Sequence, residues 1–383
     1  MHLRLWLFLL GSCLLTDLAQ AYSGFISYGY KACNSCHYDP NGNGPLTDYG
    51  RGLWASEIAA KPPWGSELTD EELGERSHFL YKTQLPFWIR PQAGYRGILV
   101  TRALNKPFYL SYMTMKADAS VVLRADEENK LFGVVNLSYI EDPNFSSTSP
   151  TRPSRHLTSR AHYVAYRPND SLTLLAGFTD IAFGLRIPEH VAFSRMYTGL
   201  GSDDQTHGLL AKYQTEDWEL SVQGFAGNLF QRPEVRAKGA SVLYEREVRP
   251  DTVLGGSALF STNDFRNKGV LSVHARMRLW EASSLISELG VLREVPSGQS
   301  GKTGVYLFSQ FQAPITRGLL FLPTGEFYTE SGGATPIFRL GPGLLWFPFQ
   351  RVELRLDVRG QWQTTSGRST FQLNAFGNVH VAI

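Results

Sequence analysis

Cysteine is nearly absent from this chain: Cys13, Cys33 and Cys36 are the only three in 383 residues. A disulfide framework is therefore excluded, and stability has to come from packing and hydrogen bonding. Long apolar runs are missing as well. Beyond the N-terminus no segment approaches the roughly 20 apolar residues of a membrane helix, so helical spans are excluded. Neither charge sign dominates, since 37 Lys and Arg stand against 35 Asp and Glu. That balance gives no general attraction to nucleic acid or anionic lipid, and no nucleic-acid partner is expected.

What is present begins with an export signal. His2 and Arg4 precede an apolar run that ends at Ala19-Gln20-Ala21, a small-residue site suited to cleavage, so residues 1–21 read as a signal peptide. A lipid on Cys13 of Leu-Gly-Ser-Cys is the alternative, but the apolar run before it is short. Once residues 1–21 are removed, Cys33 and Cys36 are the only cysteines. Together with His37 they form Cys-Asn-Ser-Cys-His, the C-x-x-C-H attachment signature of c-type haem. The spacing lets two thiols bond the two vinyl groups of one haem while the adjacent imidazole reaches the iron as an axial ligand. A thioredoxin-like pair would need a βαβ context and a zinc site a second Cys/His cluster, and the sequence supplies neither.

From residue 92 onward the pattern has period two. In the stretch from Val352 to Gln363, Val352, Leu354, Leu356, Val358 and Trp362 share one face, and Glu353, Arg355, Asp357, Arg359, Gln361 and Gln363 share the other. Short turns, as at 167–170, 248–251 and 315–318, mostly alternate with longer polar connections, as at 142–157, 181–206 and 228–237. That rhythm fits an outer-membrane barrel with tight periplasmic turns and longer external loops. The expected fold is all-β: a transmembrane antiparallel β-barrel of about 16 strands over residues 92–383, preceded by a small α-helical haem c segment at 22–91. Trp280, Trp346, Trp362 and Tyr244 fall near predicted strand ends, where aromatic girdles form. Parity places Met113, Met115 and Met277 outward, and His274, Arg276 and Arg278 inward.

Between motif and barrel, two short helices are expected to wrap the haem. One starts in Pro-Leu-Thr-Asp-Tyr-Gly-Arg-Gly-Leu. The other starts with a capping box of Thr69 and Glu72 ahead of Leu73, Ser77 and Leu80.

On the Cys33–His37 motif, the Leu46–Leu53 stretch with its Leu…Tyr-Gly spacing and the strand-rich remainder, the chain resembles the fused monohaem cytochrome–porins of bacterial outer membranes, an architecture that includes outer-membrane iron oxidases. The resemblance implies one covalent haem c held by Cys33, Cys36 and axial His37, in the lumen or at the mouth of the barrel. It implies an outer-membrane oxidoreductase passing electrons between an external donor or acceptor, Fe(II) among the donors, and a periplasmic cytochrome or other carrier. Outer-membrane lipid is the remaining partner. The alternatives are a passive porin or adaptor barrel with a structural or sensing haem, and a sheath for larger multihaem complexes. For the distal iron ligand the candidates are His190, His78 and His207. His78 lies on the helix beside the motif. His190 and His207 lie in the polar stretch 184–208, which by resemblance to sixteen-stranded porins folds into the lumen with Arg195, Asp203 and Asp204.

Overall fold

Charge points inward and apolar surface outward, the reverse of a water-soluble sheet. Lys212 and Arg359 are 1% and 2% exposed, whereas Leu209 and Leu271 are 69% and 64% exposed. Only a closed sheet standing in lipid makes that inversion favourable, because its lumen can pair the charges and its outer wall meets hydrocarbon. A computed structural model describes residues 23–42, 44–79, 85–103, 109–140, 156–189, 191–201, 204–280, 282–332, 336–365 and 368–382. The expected signal peptide and Leu80 lie outside the described residues.

The strands are β1 (Ile89–Ala103), β2 (Tyr109–Arg124), β3 (Leu131–Tyr139), β4 (Leu157–Thr158 with His162–Asn169), β5 (Leu172–Thr179), β6 (Thr206–Gln214), β7 (Trp218–Phe225) and β8 (Lys238–Arg249). They continue as β9 (Thr252–Thr262), β10 (Arg266–Trp280), β11 (Ser283–Pro296), β12 (Lys302–Thr316), β13 (Leu319–Phe321 with Thr324–Glu330), β14 (Ile337–Gly341 with Gly343–Phe349), β15 (Val352–Thr365) and β16 (Arg368–Ala382). Each pairs antiparallel with its neighbours, and β1 pairs with β16 from Gly94 opposite Ala382 to Ala103 opposite Leu373, closing a 16-strand barrel. The interruption of β14 falls at Pro342, which has no N–H for the ladder. The barrel begins at Ile89, somewhat before residue 92.

Two segments occupy the lumen. The first, residues 23–79, plugs the end that carries the short turns. It holds α1 (Asp48–Leu53), which runs on as a π-helical turn (Trp54–Ile58), and α2 (Asp70–Glu75), which starts with the expected reciprocal Thr69–Glu72 capping box. The plug ties to many strands at once. Arg90 of β1 bonds Asp48 at 2.8 Å, Arg167 of β4 donates to the Tyr38 carbonyl at 3.1 Å, and Arg317, at the turn after β12, bonds Asp70 at 2.9 Å. At the same turn Gly318 has φ +81, and a Cβ there would meet the Ala60 amide and the Phe347 carbonyl, so only glycine lets the plug lie so close.

The second luminal segment is the connection from β5 to β6. As expected, it folds inward, and its backbone amides are satisfied by inward-facing side chains of the wall. Ala182 N donates to Gln223 at 2.7 Å, Gly184 N to Ser257 at 2.9 Å, Leu185 N to Glu288 at 2.8 Å and Phe193 N to Glu326 at 2.7 Å. A buried loop needs such partners for each polar group it carries.

Candidate functional site

The Cys-Asn-Ser-Cys-His motif lies within the lumen, in the plug. Cys33–Ser35 form a 3-10 turn, and the Cys36 and His37 amides both donate to the Cys33 carbonyl at 3.3 and 3.1 Å. The turn is clamped by α1. Thr47 caps that helix by accepting from Gly50 N at 3.1 Å, while its own amide donates to the Cys36 carbonyl at 2.8 Å. Gly50 packs directly on Cys36, and Tyr30 and Leu53 complete the apolar surroundings of that thiol.

After the motif the chain turns through Asp39-Pro40-Asn41. Asp39 accepts from Asn41 N at 2.8 Å and from the Thr179 hydroxyl of β5 at 2.6 Å, and Lys212 of β6 donates to the Pro40 carbonyl at 3.2 Å. Burial pushes the Asp39 carboxyl up to about 6, against the pull of these hydrogen bonds.

Both thiols are buried and no disulfide joins them. Burial raises the Cys33 thiol. His37 is buried too. Desolvation lowers its imidazole to about 4, with a bond to the Gly44 backbone working the other way, so the ring is neutral at pH 7. Its Nδ1 is buried with no hydrogen-bond partner.

A neutral imidazole with one nitrogen unpartnered can ligate iron, although here the free nitrogen is Nδ1 and the other is engaged by the Gly44 backbone, the reverse of the usual Nδ1–H to carbonyl arrangement. Two reduced thiols one turn apart supply the remaining attachment points. In kind, two thiols and an imidazole are the donors that a covalently bound haem requires. A zinc cage would need further ligands, and among the described residues no group of three or more His, Cys, Asp or Glu side chains gathers into one.

Charges of the lumen wall surround Cys33. Arg186 of the in-folded loop bonds Glu219 at 3.0 Å and Glu245 at 2.8 Å, and Lys212 bonds Glu219 at 2.8 Å. Glu245 also pairs with His274 at 2.8 Å and Arg276 at 2.9 Å, and Arg276 reaches the Lys31 carbonyl of the plug at 3.0 Å. Three cations, Arg186, Lys212 and Arg276, thus face two carboxylates, Glu219 and Glu245, leaving a positive surplus beside the motif. Arg278 instead pairs with Asp251 at the short-turn rim.

The distal candidates are scattered. His190 and Asp203 lie outside the described residues. His78 is half-buried near the short-turn end, where its carbonyl accepts from Arg351. His207 does not face the lumen. Strand β6 starts at Thr206, its inward residues include Leu210 and Lys212, and His207 shares the outer face with Leu209. There its Nε2 lies 3.1 Å from that of His162, and Phe178 and Phe230 pack against its ring. Arg195 sits on a short inward helix (Phe193–Met196), and Asp204 accepts from Gly201 N at 2.8 Å.

The methionines of β2 also depart from expectation. The register shifts from Arg96 opposite Lys116 to Gly97 opposite Thr114, so Met115 is the extra residue of a bulge and lines a luminal cavity instead of facing lipid. Met113 then stands opposite the inward-facing Ile98.

A closed 16-strand wall with apolar exterior, charged lumen and an in-folded loop defines a porin-like β-barrel of the bacterial outer membrane. Solved outer-membrane proteins share this fold. The chain is similar to the outer membrane channel DcaP of Acinetobacter baumannii, with TM-score 0.57, 11% identity and coverage of 77% of this chain and 97% of that one. It is also similar to OprB of Pseudomonas putida (0.57, 11%, 86% and 100%) and to an anion-selective porin of Comamonas acidovorans (0.56, 8%, 77% and 99%). No family profile and no curated protein matches the sequence.

Proposed function

We propose that this barrel carries electrons across the outer membrane by way of a haem c attached to Cys33 and Cys36 and ligated by His37. The observation that carries the reading is the burial of this donor set inside the lumen, between the periplasmic short turns and the in-folded loop. Electron tunnelling falls steeply with distance, so a redox group inside the wall shortens a gap that a periplasmic carrier could not bridge alone. When bound, the haem supplies reversible one-electron chemistry.

The chain's own residues do the rest. The plug holds the motif by its ties to the wall, and α1 fixes Cys36 through Thr47. His37 stays neutral because it is buried. The Arg186–Lys212–Arg276 surplus favours the electron-rich state of any group beside it, which raises its potential. The external partner is a donor or acceptor on the loop side, ferrous iron among them, and a periplasmic carrier serves the other side.

A passive channel is the second reading, favoured by the fold shared with channel proteins and by a polar cavity beside the in-folded loop. Expression alongside a haem c maturation system, then reconstitution in liposomes, separates the two. A covalent haem absorbance lost in Cys33→Ala/Cys36→Ala, and reduction of an enclosed acceptor by an external reductant, support electron transfer. Free sugar leakage with no reduction and no covalent haem would leave the channel.

A further inference from the structure

Two histidines on the outer face of the wall take no part in the haem motif. His162 of β4, Phe178 of β5 and His207 of β6 stand in one row across three strands, because His162 pairs with Phe178 and Phe178 with His207. The row sits at the end of the barrel opposite the short turns, beside the connection from β7 to β8, residues 226–237. Phe230 of that connection packs against both imidazoles and against Phe178.

The hydrogen bonds of this cluster run in one direction. Leu229 N donates to His207 Nδ1 at 3.2 Å, so His207 carries its own proton on Nε2. That N–H donates to His162 Nε2, 3.1 Å away. At the other end the Ser159 hydroxyl donates to the Ala161 carbonyl at 3.3 Å, and its oxygen accepts from His162 Nδ1 at 2.9 Å. Both rings are therefore neutral, and every ring nitrogen has one partner. A spacing of 3.1 Å also suits two imidazoles on one zinc ion, but ligation through both Nε2 atoms would put the His207 proton on Nδ1, against the Leu229 N–H. An added proton meets the same obstacle. On His207 Nδ1 it faces the Leu229 N–H and on His162 Nε2 it faces the His207 N–H, so either way one bond of the chain breaks. Among the described residues the charged group acting on the pair is Arg236, which donates to the Leu229 carbonyl at 3.0 Å and opposes a further cation.

We propose that His162 and His207 form an acid-released clasp: while neutral they hold Leu229 and Phe230 of the external 226–237 connection against the wall, and protonation lets that segment go. The clasp stands apart from the haem motif and from any reading of its function. Once released, the imidazoles titrate at about 6.5, the value of the free side chain. A contact that requires a neutral histidine is intact above that pH and is lost as pH falls through it. Release should therefore grow about tenfold for each histidine between about pH 7.5 and about pH 5.5.

The test is hydrogen exchange, read by mass spectrometry on peptides spanning 226–237 in the full chain refolded in detergent, at those two pH values. Each rate is divided by that of the urea-unfolded chain at the same pH, which removes the intrinsic pH dependence of exchange and leaves the opening equilibrium. Normalised exchange around Leu229 is expected to rise at least about tenfold at the lower pH, while peptides of β15 and β16 stay unchanged. The double variant His162→Gln/His207→Gln cannot titrate and should abolish the rise. His156→Gln should keep it, since His156 lies outside the row, where it bonds the Ile140 carbonyl. Equal normalised rates at the two pH values overturn the proposal, and so does a rise that survives in the double variant. If the double variant does not refold, the two pH values on the unmodified protein decide alone.

Discussion

Placing a methyl group on Gly50 should loosen the haem motif, and the size of the effect follows from the geometry. A Cβ at Gly50 would sit 2.9 Å from Cys36 Cα and 3.0 Å from its carbonyl carbon, and closer still to the carbonyl oxygen. These are backbone atoms, so no side chain can swing aside, and α1 has to retreat from the Cys33–His37 turn. The 2.8 Å bond from Thr47 N to the Cys36 carbonyl would lengthen with it. Overpacking of this kind costs about 1–3 kcal/mol.

Alanine also favours a helix over glycine by up to about 1 kcal/mol, which acts in the opposite direction. Gly52→Ala controls for that gain, because a Cβ at Gly52 in the same helix meets nothing within 4 Å. Relative to Gly52→Ala, Gly50→Ala should therefore open the plug about 5- to 150-fold more often, at about 1.4 kcal/mol per factor of ten. Maleimide labelling of Cys33 and Cys36 reads this opening, in haem-free chains expressed from residue 22 and refolded in detergent. Where reclosing outpaces labelling, the rate tracks the opening equilibrium. Equal labelling rates in Gly50→Ala and Gly52→Ala would refute the idea that this contact holds the motif.

Three further outcomes are expected. In the haem-free protein, His37 and Asp39 oppose each other with pH. His37, lowered to about 4, loses its stabilising preference as pH falls from about 6.5, whereas Asp39, raised to about 6, gains as pH falls from about 6 toward 4. Plug labelling, divided at each pH by the labelling rate of the urea-unfolded chain because the thiolate fraction itself falls on acidification, should thus vary little with pH in the unmodified chain, increase on acidification in Asp39→Asn and decrease on acidification in His37→Gln; parallel normalised profiles in all three would discount both burial effects. Glu245→Gln strips the shared partner from Arg186, His274 and Arg276 and should cost about 3–5 kcal/mol in urea refolding of the barrel. A shift under 1 kcal/mol there would mean that water reaches the cluster. His207→Ala should leave the haem optical and spin-resonance spectra unchanged, since the ring lies on the outer face; an altered low-spin signal would place it in the lumen after all.

The barrel was legible because lipid imposes a simple rule on every strand. In β15, Glu353, Arg355, Asp357 and Arg359 are buried in the lumen while Leu356 and Trp362 meet the outside, as their alternation requires. Parity fails where a strand carries an extra residue. The bulge opposite Arg96 and Gly97 reverses the faces of β2, and nothing local in Tyr-Met-Thr-Met-Lys announces it, because the bulge is defined by the partner strand. His207 was within reach of the same rule. Leu210 and Lys212 face inward, so a strand starting at Thr206 puts His207 outward, and only its assignment to a loop concealed this. The wall residues that hold the motif, Arg167, Thr179 and Lys212, lie far from it in sequence, and their role follows from closure of the sheet.

The sulfurs of Cys33 and Cys36 end up behind a ring of hydrogen-bonded strands, under a plug that touches the wall on many sides. No enzyme large enough to build a thioether bond can reach them there. Whatever is joined to them has to be joined while the chain is still extended, before it reaches the machinery that inserts it. If a haem is attached there as proposed, manufacture of this protein has a fixed order, and a chain that folds too early is sealed without its cargo.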